Sequence, residues 1–99
     1  MNDFLFSDNS GASRYELRNG GALAARVDYQ LQDGVVVVMS HTEVLPDHEG
    51  KGLGSKIADQ ALDDARRRGL KVRPVCEFIA RYIERHPQYA ELVSADRPA

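Results

Sequence analysis

The segment Val44–Ser55, VLPDHEGKGLGS, decides the fold of this chain. It follows a run of four valines, Val35–Val38, which predicts an inner strand covered on both faces. It precedes apolar residues at helical spacing, which predict an amphipathic helix that begins at Leu53. A strand that turns into a helix through alternate glycines is typical of an α/β fold with a specialised loop at the turn.

Three glycines, Gly50, Gly52 and Gly54, remove side chains where the backbone enters the helix. Successive N–H groups can then point into one concavity at the positive end of the helix, which is how phosphate oxygens are held without a metal. Lys51 can add a positive charge and Ser55 a hydroxyl donor. The alternative is a glycine-rich turn that only packs close to the sheet. The position between strand and helix favours phosphate binding, although neither a Walker loop nor a Rossmann fingerprint is present.

Upstream of this segment the sequence predicts a three-stranded antiparallel meander. The first two strands, Arg14–Arg18 and Ala22–Leu31, flank Asn19–Gly21, whose residues accept the positive φ of a hairpin turn. The second strand alternates apolar and polar residues, as a half-buried strand does. A further turn leads into the third strand, which runs from Val35 to Val44.

Downstream, the helix that begins at Leu53 is expected to end at Gly69. Leu70–Val75 predicts a short fourth strand, and the apolar stripe of Phe78–His86 predicts a second helix that Pro87 stops. We therefore expect an α/β (α+β) fold in which an antiparallel three-strand meander is followed by helix, strand and helix. The result is a mixed sheet with helices packed on it.

The 99 residues are expected to form a single domain with an ordered core at about 13–93 and frayed ends at Met1–Ala12 and Ser94–Ala99. The net charge of −2 gives no reason to expect nucleic acid as a partner, and no apolar run is long enough to span a membrane. Cys76, the one cysteine, cannot form an internal disulfide, which suits a reducing compartment. We expect a cytoplasmic protein.

The run V-L-P-D-H-E-G-K-G-L-G-S-K-I, from Val44 to Ile57, resembles the signature V-x-P-x-x-[RQ]-G-x-G-[IL]-G-x-x-[LI] of the GNAT acyltransferase superfamily. The resemblance covers Val35–Leu70, with the loop at the same strand–loop–helix position. The rest of the chain resembles the compact single-domain GNAT-like proteins of unassigned substrate at His41-Thr42, Cys76-x-Phe78 and His86-Pro87-x-Tyr89.

The resemblance implies that acetyl-CoA, or coenzyme A, is the cofactor and that an amine accepts the acetyl group. It implies that backbone amides from about Glu49 to Ser55 hold the pyrophosphate, and that the thioester lies between the splayed ends of the third and fourth strands. The cofactor-binding residues that it implies are Val44, Glu49, Gly50, Lys51, Gly52, Leu53, Gly54 and Ser55.

The sequence departs from the family pattern in three respects. Glu49 stands where Arg or Gln is usual, which puts a carboxylate near the phosphate site. The usual Asn followed seven residues later by Tyr is absent; Cys76 and Tyr82 are six residues apart, so the resemblance makes Tyr82 only a candidate. The early helices that usually build the acceptor site are missing.

Cys76, His41 and Tyr82 are therefore the candidate catalytic residues. Cys76 is expected at the N-terminus of the second helix, where a thiol can become a nucleophile; the alternative is a cysteine packed in the core. His41 can act as general base for the amine, with Glu43 as an alternative or an orienting partner; otherwise both are ordinary strand-edge groups. Strand parity puts His41 on the face of Met39, unless a bulge resets it.

The sequence is compatible with three functions. The first is an acyl-CoA-dependent N-acetyltransferase, which His41 and Cys76 favour. The second is a non-catalytic module that binds CoA or acyl-CoA, which Glu49 and the missing helices favour. The third is a structural or interaction domain without a cofactor, which would make the glycine segment a coincidence.

Overall fold

The structure is a computed structural model that describes residues 4–94; residues 1–3 and 95–99 lie outside the described part. Four consecutive antiparallel strands are followed by a helix, a fifth strand parallel to the fourth, and a second helix. The order of the strands across the sheet equals their order in the chain. The elements are β1 (Phe4–Asn9), β2 (Arg14–Asn19), β3 (Ala22–Gln32), β4 (Val36–Val44), α1 (Leu53–Arg67), β5 (Lys71–Pro74) and α2 (Glu77–Arg85). The predicted mixed sheet with helices packed on it is confirmed.

The N-terminal strand corrects one expectation, because Phe4–Asn9 form a paired edge strand rather than a frayed end. β1 pairs with β2 along its whole length. Asp8 fixes it to the rest of the molecule: it accepts a hydrogen bond of 2.6 Å from the Tyr29 hydroxyl and lies 3.0 Å from Nη1 of Arg68. The meander therefore has four strands instead of the predicted three.

Both helices pack on one face of the sheet and share one apolar core with it. Full burial of a Leu or Ile side chain stabilises the fold by about 1.5–3 kcal/mol, so this face supplies much of the stability. The larger side chains that are fully buried in this core are Tyr15, Leu17, Val27, Val37, Met39, Ile57, Leu62, Val72 and Ile79. Within the valine run, Val36 and Val37 are buried, whereas Val35 lies in the turn and is 55% exposed.

The opposite face carries ion pairs, and no helix of the described chain covers it. Glu16 is central to this face and only 2% exposed. Its carboxylate accepts hydrogen bonds from Arg14 Nε at 2.7 Å, Arg18 Nε at 2.9 Å and Asn9 Nδ2 at 3.0 Å. The bond from Arg18, aided by the other two donors, lowers the pKa of Glu16 from 4.5 to about 2, although burial opposes this.

A β-bulge in β4 turns His41 away from the helices. The residues that pair with Met39 and His41 are consecutive in β3, so Ser40 is an extra residue in β4. Thr42, rather than His41, therefore continues the face of Met39, and His41 is exposed on the helix-free face. The prediction from simple strand parity was wrong for His41 because of this bulge.

Candidate functional site

The loop between β4 and α1 adopts a backbone that requires glycine at two positions. Gly50 has φ +83° and Gly52 has φ +71°, in the left-handed region where a Cβ is strained. Gly52 is also the N-cap of α1, and a Cβ there would meet no atom within 4 Å. The requirement for glycine at Gly52 is therefore conformational, and the space beside it is open. We call Glu49–Ser55 the glycine loop.

The first amides of α1 remain available to a ligand, because Gly52 has no side chain to cap them. The helix ladder begins with Lys56 N, which donates to Gly52 O at 3.2 Å. The amides of Leu53–Ser55 precede that bond, and none of them donates a hydrogen bond to an acceptor in residues 4–94. The first turn of α1 contains no acidic residue. Free amides at the positive end of a helix are a feature that favours the binding of an anion.

Gly54 is needed for a different reason, the close approach of α1 and α2. A Cβ at Gly54 would lie 3.0 Å from Cζ of Phe78, closer than side chains normally approach. The Phe78 ring is nevertheless 42% exposed, because it forms a wall of an open cavity. The helical spacing of Phe78 had placed it on an apolar core face, so its role as a wall was missed.

This cavity, of about 280 Å³, lies directly over the glycine loop, and we call it the loop cavity. Seven of the eight predicted cofactor-binding residues line it; Lys51, whose side chain is exposed, does not. Glu49 is exposed as well, so its carboxylate can turn to water. The lining residues are Val44, Glu49, Gly50, Gly52, Leu53, Gly54, Ser55 and Phe78.

Cys76 lies where β4 and β5 separate. The pairing of these strands ends at Met39 and Pro74, and Cys76 N then donates to Met39 O at 2.9 Å. Beyond this point the paired partners of β4 belong to β3 alone. Cys76 is the half-buried N-cap of α2, and its Sγ lies 3.4 Å from Oγ1 of Thr42. The thiol and the hydroxyl thus meet at the opening between the splayed strands.

The two other candidate groups of β4 lie on the helix-free face. Glu43 is engaged, since its Oε1 accepts bonds from Arg26 Nη2 at 2.7 Å and Nε at 3.1 Å. His41 is exposed and forms no hydrogen bond or ion pair with any residue in the described range 4–94. Of the two, His41 is therefore the side chain that is not already engaged by another residue in this range.

Tyr82 is not brought to Cys76. Its hydroxyl donates to Asp59 of α1 at 3.2 Å, and its ring stacks on His86 with 3.9 Å between the centroids. Burial, followed by the negative charge of Asp59, raises the pKa of Tyr82 to about 12. Neither Cys76 nor Thr42 is among its contacts, so Tyr82 ties α2 to α1.

A second cavity, of about 210 Å³, lies along α2, and we call it the α2 cavity. It shares Ser55 and Phe78 with the loop cavity, so the two are neighbours. Its other lining residues are Arg81, Tyr82, Arg85 and His86. The sequence alone assigned no role to Arg81 or Arg85, because only the packing of α2 beside α1 creates this cavity.

No helix in residues 4–94 is long and apolar enough to span a membrane. The profile of a family described as GCN5-related N-acetyl-transferase matches residues 14–92. A search of curated proteins finds no match.

Three solved structures are similar in fold. A GCN5-like protein from Staphylococcus aureus is 20% identical with a TM-score of 0.70, over 98% of this chain and 94% of that one. The ribosomal-protein-S18-alanine N-acetyltransferase from Escherichia coli is 21% identical with a TM-score of 0.59, over 85% and 61%. The ribosomal-protein-alanine N-acetyltransferase from Brucella melitensis biovar Abortus 2308 is 20% identical with a TM-score of 0.52, over 87% and 64%. This chain thus spans less than two thirds of the last two proteins. Since the family match extends over most of the sequence, the chain belongs to the GCN5-related N-acetyltransferase (GNAT) family.

Proposed function

We propose that this protein binds acetyl-CoA in the loop cavity and transfers the acetyl group to an amine. The main support is the order of three features: the free amides of α1, the apolar side chains of Val44 and Phe78, and then Cys76. An acyl-CoA has the same order of chemical groups: a pyrophosphate, a long pantetheine arm and a thioester. Membership of the GNAT family supports acetyl-CoA as the donor.

The binding step uses the backbone more than side chains. The amides of Leu53–Ser55 and the Ser55 hydroxyl would donate to the pyrophosphate, with Lys51 adding a positive potential from the loop surface. Val44 and Phe78 offer apolar walls to the pantetheine arm. Beyond Met39, the edge of β4 that β5 has left can hydrogen-bond the amides of that arm.

The chemical step is direct attack by the amine. The amine nitrogen forms a bond to the thioester carbon, the C–S bond breaks, and the electron pair leaves on the CoA sulfur. An acceptor that approaches over the helix-free face meets the exposed His41, which takes the proton that the amine loses. Cys76, next to Thr42, supplies a proton to the departing thiolate.

A non-catalytic CoA-binding module is the second candidate. Glu49 lines the loop cavity at the position where the family pattern has Arg or Gln. No helix in residues 4–94 covers the face from which an acceptor would approach. This candidate predicts CoA binding without acetyl transfer to any amine.

The rate at which Cys76 is alkylated, with and without CoA, distinguishes the two CoA-binding candidates from a domain that binds no cofactor. Saturating CoA is expected to slow the reaction of Cys76 with iodoacetamide by at least about fivefold, because cofactor and reagent compete for the same opening. Mass spectrometry reads the label directly, since the chain has one cysteine and Cys76→Ser provides the unlabelled control. Equal rates with and without CoA would remove Cys76 from the proposed thioester site.

The same samples test the chemical step. With acetyl-CoA and a panel of amines, free thiol release that His41→Gln slows without weakening CoA binding supports direct attack. An acetyl group found on wild type but not on Cys76→Ser would instead establish a covalent route through Cys76. Protection of Cys76 without thiol release favours the binding module.

A further inference from the structure

The α2 cavity is positively charged and adjoins the glycine loop. Arg81 and Arg85 lie one helical turn apart, so both guanidinium groups line the same cavity. Ser55, whose amide is among those proposed to bind the pyrophosphate, lines both this cavity and the loop cavity. Two guanidinium groups therefore lie in the cavity next to the proposed phosphate site.

Within residues 4–94, no acidic side chain lines the α2 cavity. Arg85 forms no ion pair with any described residue. Arg81 lies 2.8 Å from Glu77, but the two side chains are 67% and 77% exposed, and such exposed pairs are weak. Asp59 of α1 already accepts bonds from the hydroxyls of Tyr82 and Tyr89. An anion in the α2 cavity would thus meet two guanidinium groups and no carboxylate among the lining side chains.

The direction of the cofactor determines which anion reaches this cavity. This direction rests on the proposed function, with the pyrophosphate on the amides of Leu53–Ser55 and the thioester at Cys76. The adenosine end must then leave the loop cavity on the side away from Cys76, and Ser55 borders the α2 cavity there. The 3′-phosphate is attached to the ribose that follows the pyrophosphate, so it is the next anionic group along the ligand.

We infer that Arg81 and Arg85 bind the 3′-phosphate of the CoA adenosine, so that the protein distinguishes CoA from 3′-dephospho-CoA. A guanidinium group donates two parallel hydrogen bonds to a phosphate, which suits this role better than an ammonium group would. The stacked rings of Tyr82 and His86 form the flat wall of the cavity beside the arginines.

Calorimetric titration of CoA and 3′-dephospho-CoA into wild type, Arg81→Gln and Arg85→Gln tests this inference. Wild type is expected to bind CoA about tenfold more tightly than 3′-dephospho-CoA. Each arginine variant should lose most of that preference, while its affinity for 3′-dephospho-CoA stays within about twofold of wild type. Lys71→Gln, an equal loss of charge at the exposed start of β5, is the control and should keep the preference.

Three results would overturn the inference. Equal affinity of wild type for the two ligands, or losses of the same size for both ligands in the arginine variants, would show that the 3′-phosphate lies elsewhere while CoA binding itself stands. Failure of wild type to bind either ligand would overturn both this inference and the proposed function. Both arginines are exposed, so circular dichroism should show that the variants fold like wild type.

Discussion

Gly52→Ala is expected to weaken CoA binding by at least about tenfold, or roughly 1.4 kcal/mol. An alanine at φ +71° carries a strain of about 1–2 kcal/mol, which the loop can relieve only by changing its backbone. That change moves the amides of Leu53–Ser55 that the proposal assigns to the pyrophosphate. Because a Cβ at Gly52 meets no atom within 4 Å, no packing is lost. Calorimetric titration with CoA measures the effect.

Gly34→Ala is the matched control for this variant. Gly34 lies in the β3–β4 turn with φ +69°, and a Cβ there also meets nothing within 4 Å. Both variants should lose similar amounts of stability to unfolding, and only Gly52→Ala should lose affinity for CoA. Wild-type affinity in Gly52→Ala, or an equal loss in Gly34→Ala, would contradict the role given to the glycine loop.

Glu16→Gln is expected to lower the free energy of unfolding at pH 7 by on the order of 2–3 kcal/mol. The carboxylate is almost fully buried and accepts charged hydrogen bonds from Arg14 and Arg18, which a neutral amide replaces poorly. Glu43→Gln is the control: Glu43 also pairs with an arginine but is 42% exposed at its side chain, so about 1 kcal/mol or less is expected. Urea unfolding monitored by circular dichroism gives both values.

The pH dependence of stability gives an independent test of Glu16. Its pKa falls from 4.5 to about 2 in the folded protein, so the unfolded chain binds the proton more readily. The stabilisation is present above about pH 5 and is lost as the pH falls toward 2. Glu16→Gln should flatten the stability profile over that interval. The same slope in variant and wild type would mean that other carboxylates cause the acid sensitivity.

The sheet and its two helices could be predicted because their signals are local. The alternation in Ala22–Leu31 and the apolar stripe after Leu53 arise from the geometry of strands and helices themselves. The turn at Gly50 and Gly52 could be predicted for the same reason, and both glycines have a positive φ. Most of the predicted loop residues accordingly line one cavity.

The features that were missed depend on contacts between distant parts of the chain. β1 is held by its pairing with β2 and by Asp8, whose partners lie in β3 and just after α1. The β-bulge inserts Ser40 opposite β3. The sequence around His41 shows no sign of this extra residue. Phe78 becomes a cavity wall because Gly54 lets α1 approach it closely. Periodicity carries no information on any of these.

The central claim is that the glycine loop and the opening at Cys76 hold one CoA molecule. A titration of ¹⁵N-labelled protein with CoA, followed by amide chemical shifts, tests it most directly. The account predicts saturable one-to-one binding, with the largest shifts at the amides of Gly52–Ser55 and Cys76. Absence of binding at millimolar CoA, or shifts confined to the helix-free face around Glu16, would contradict it.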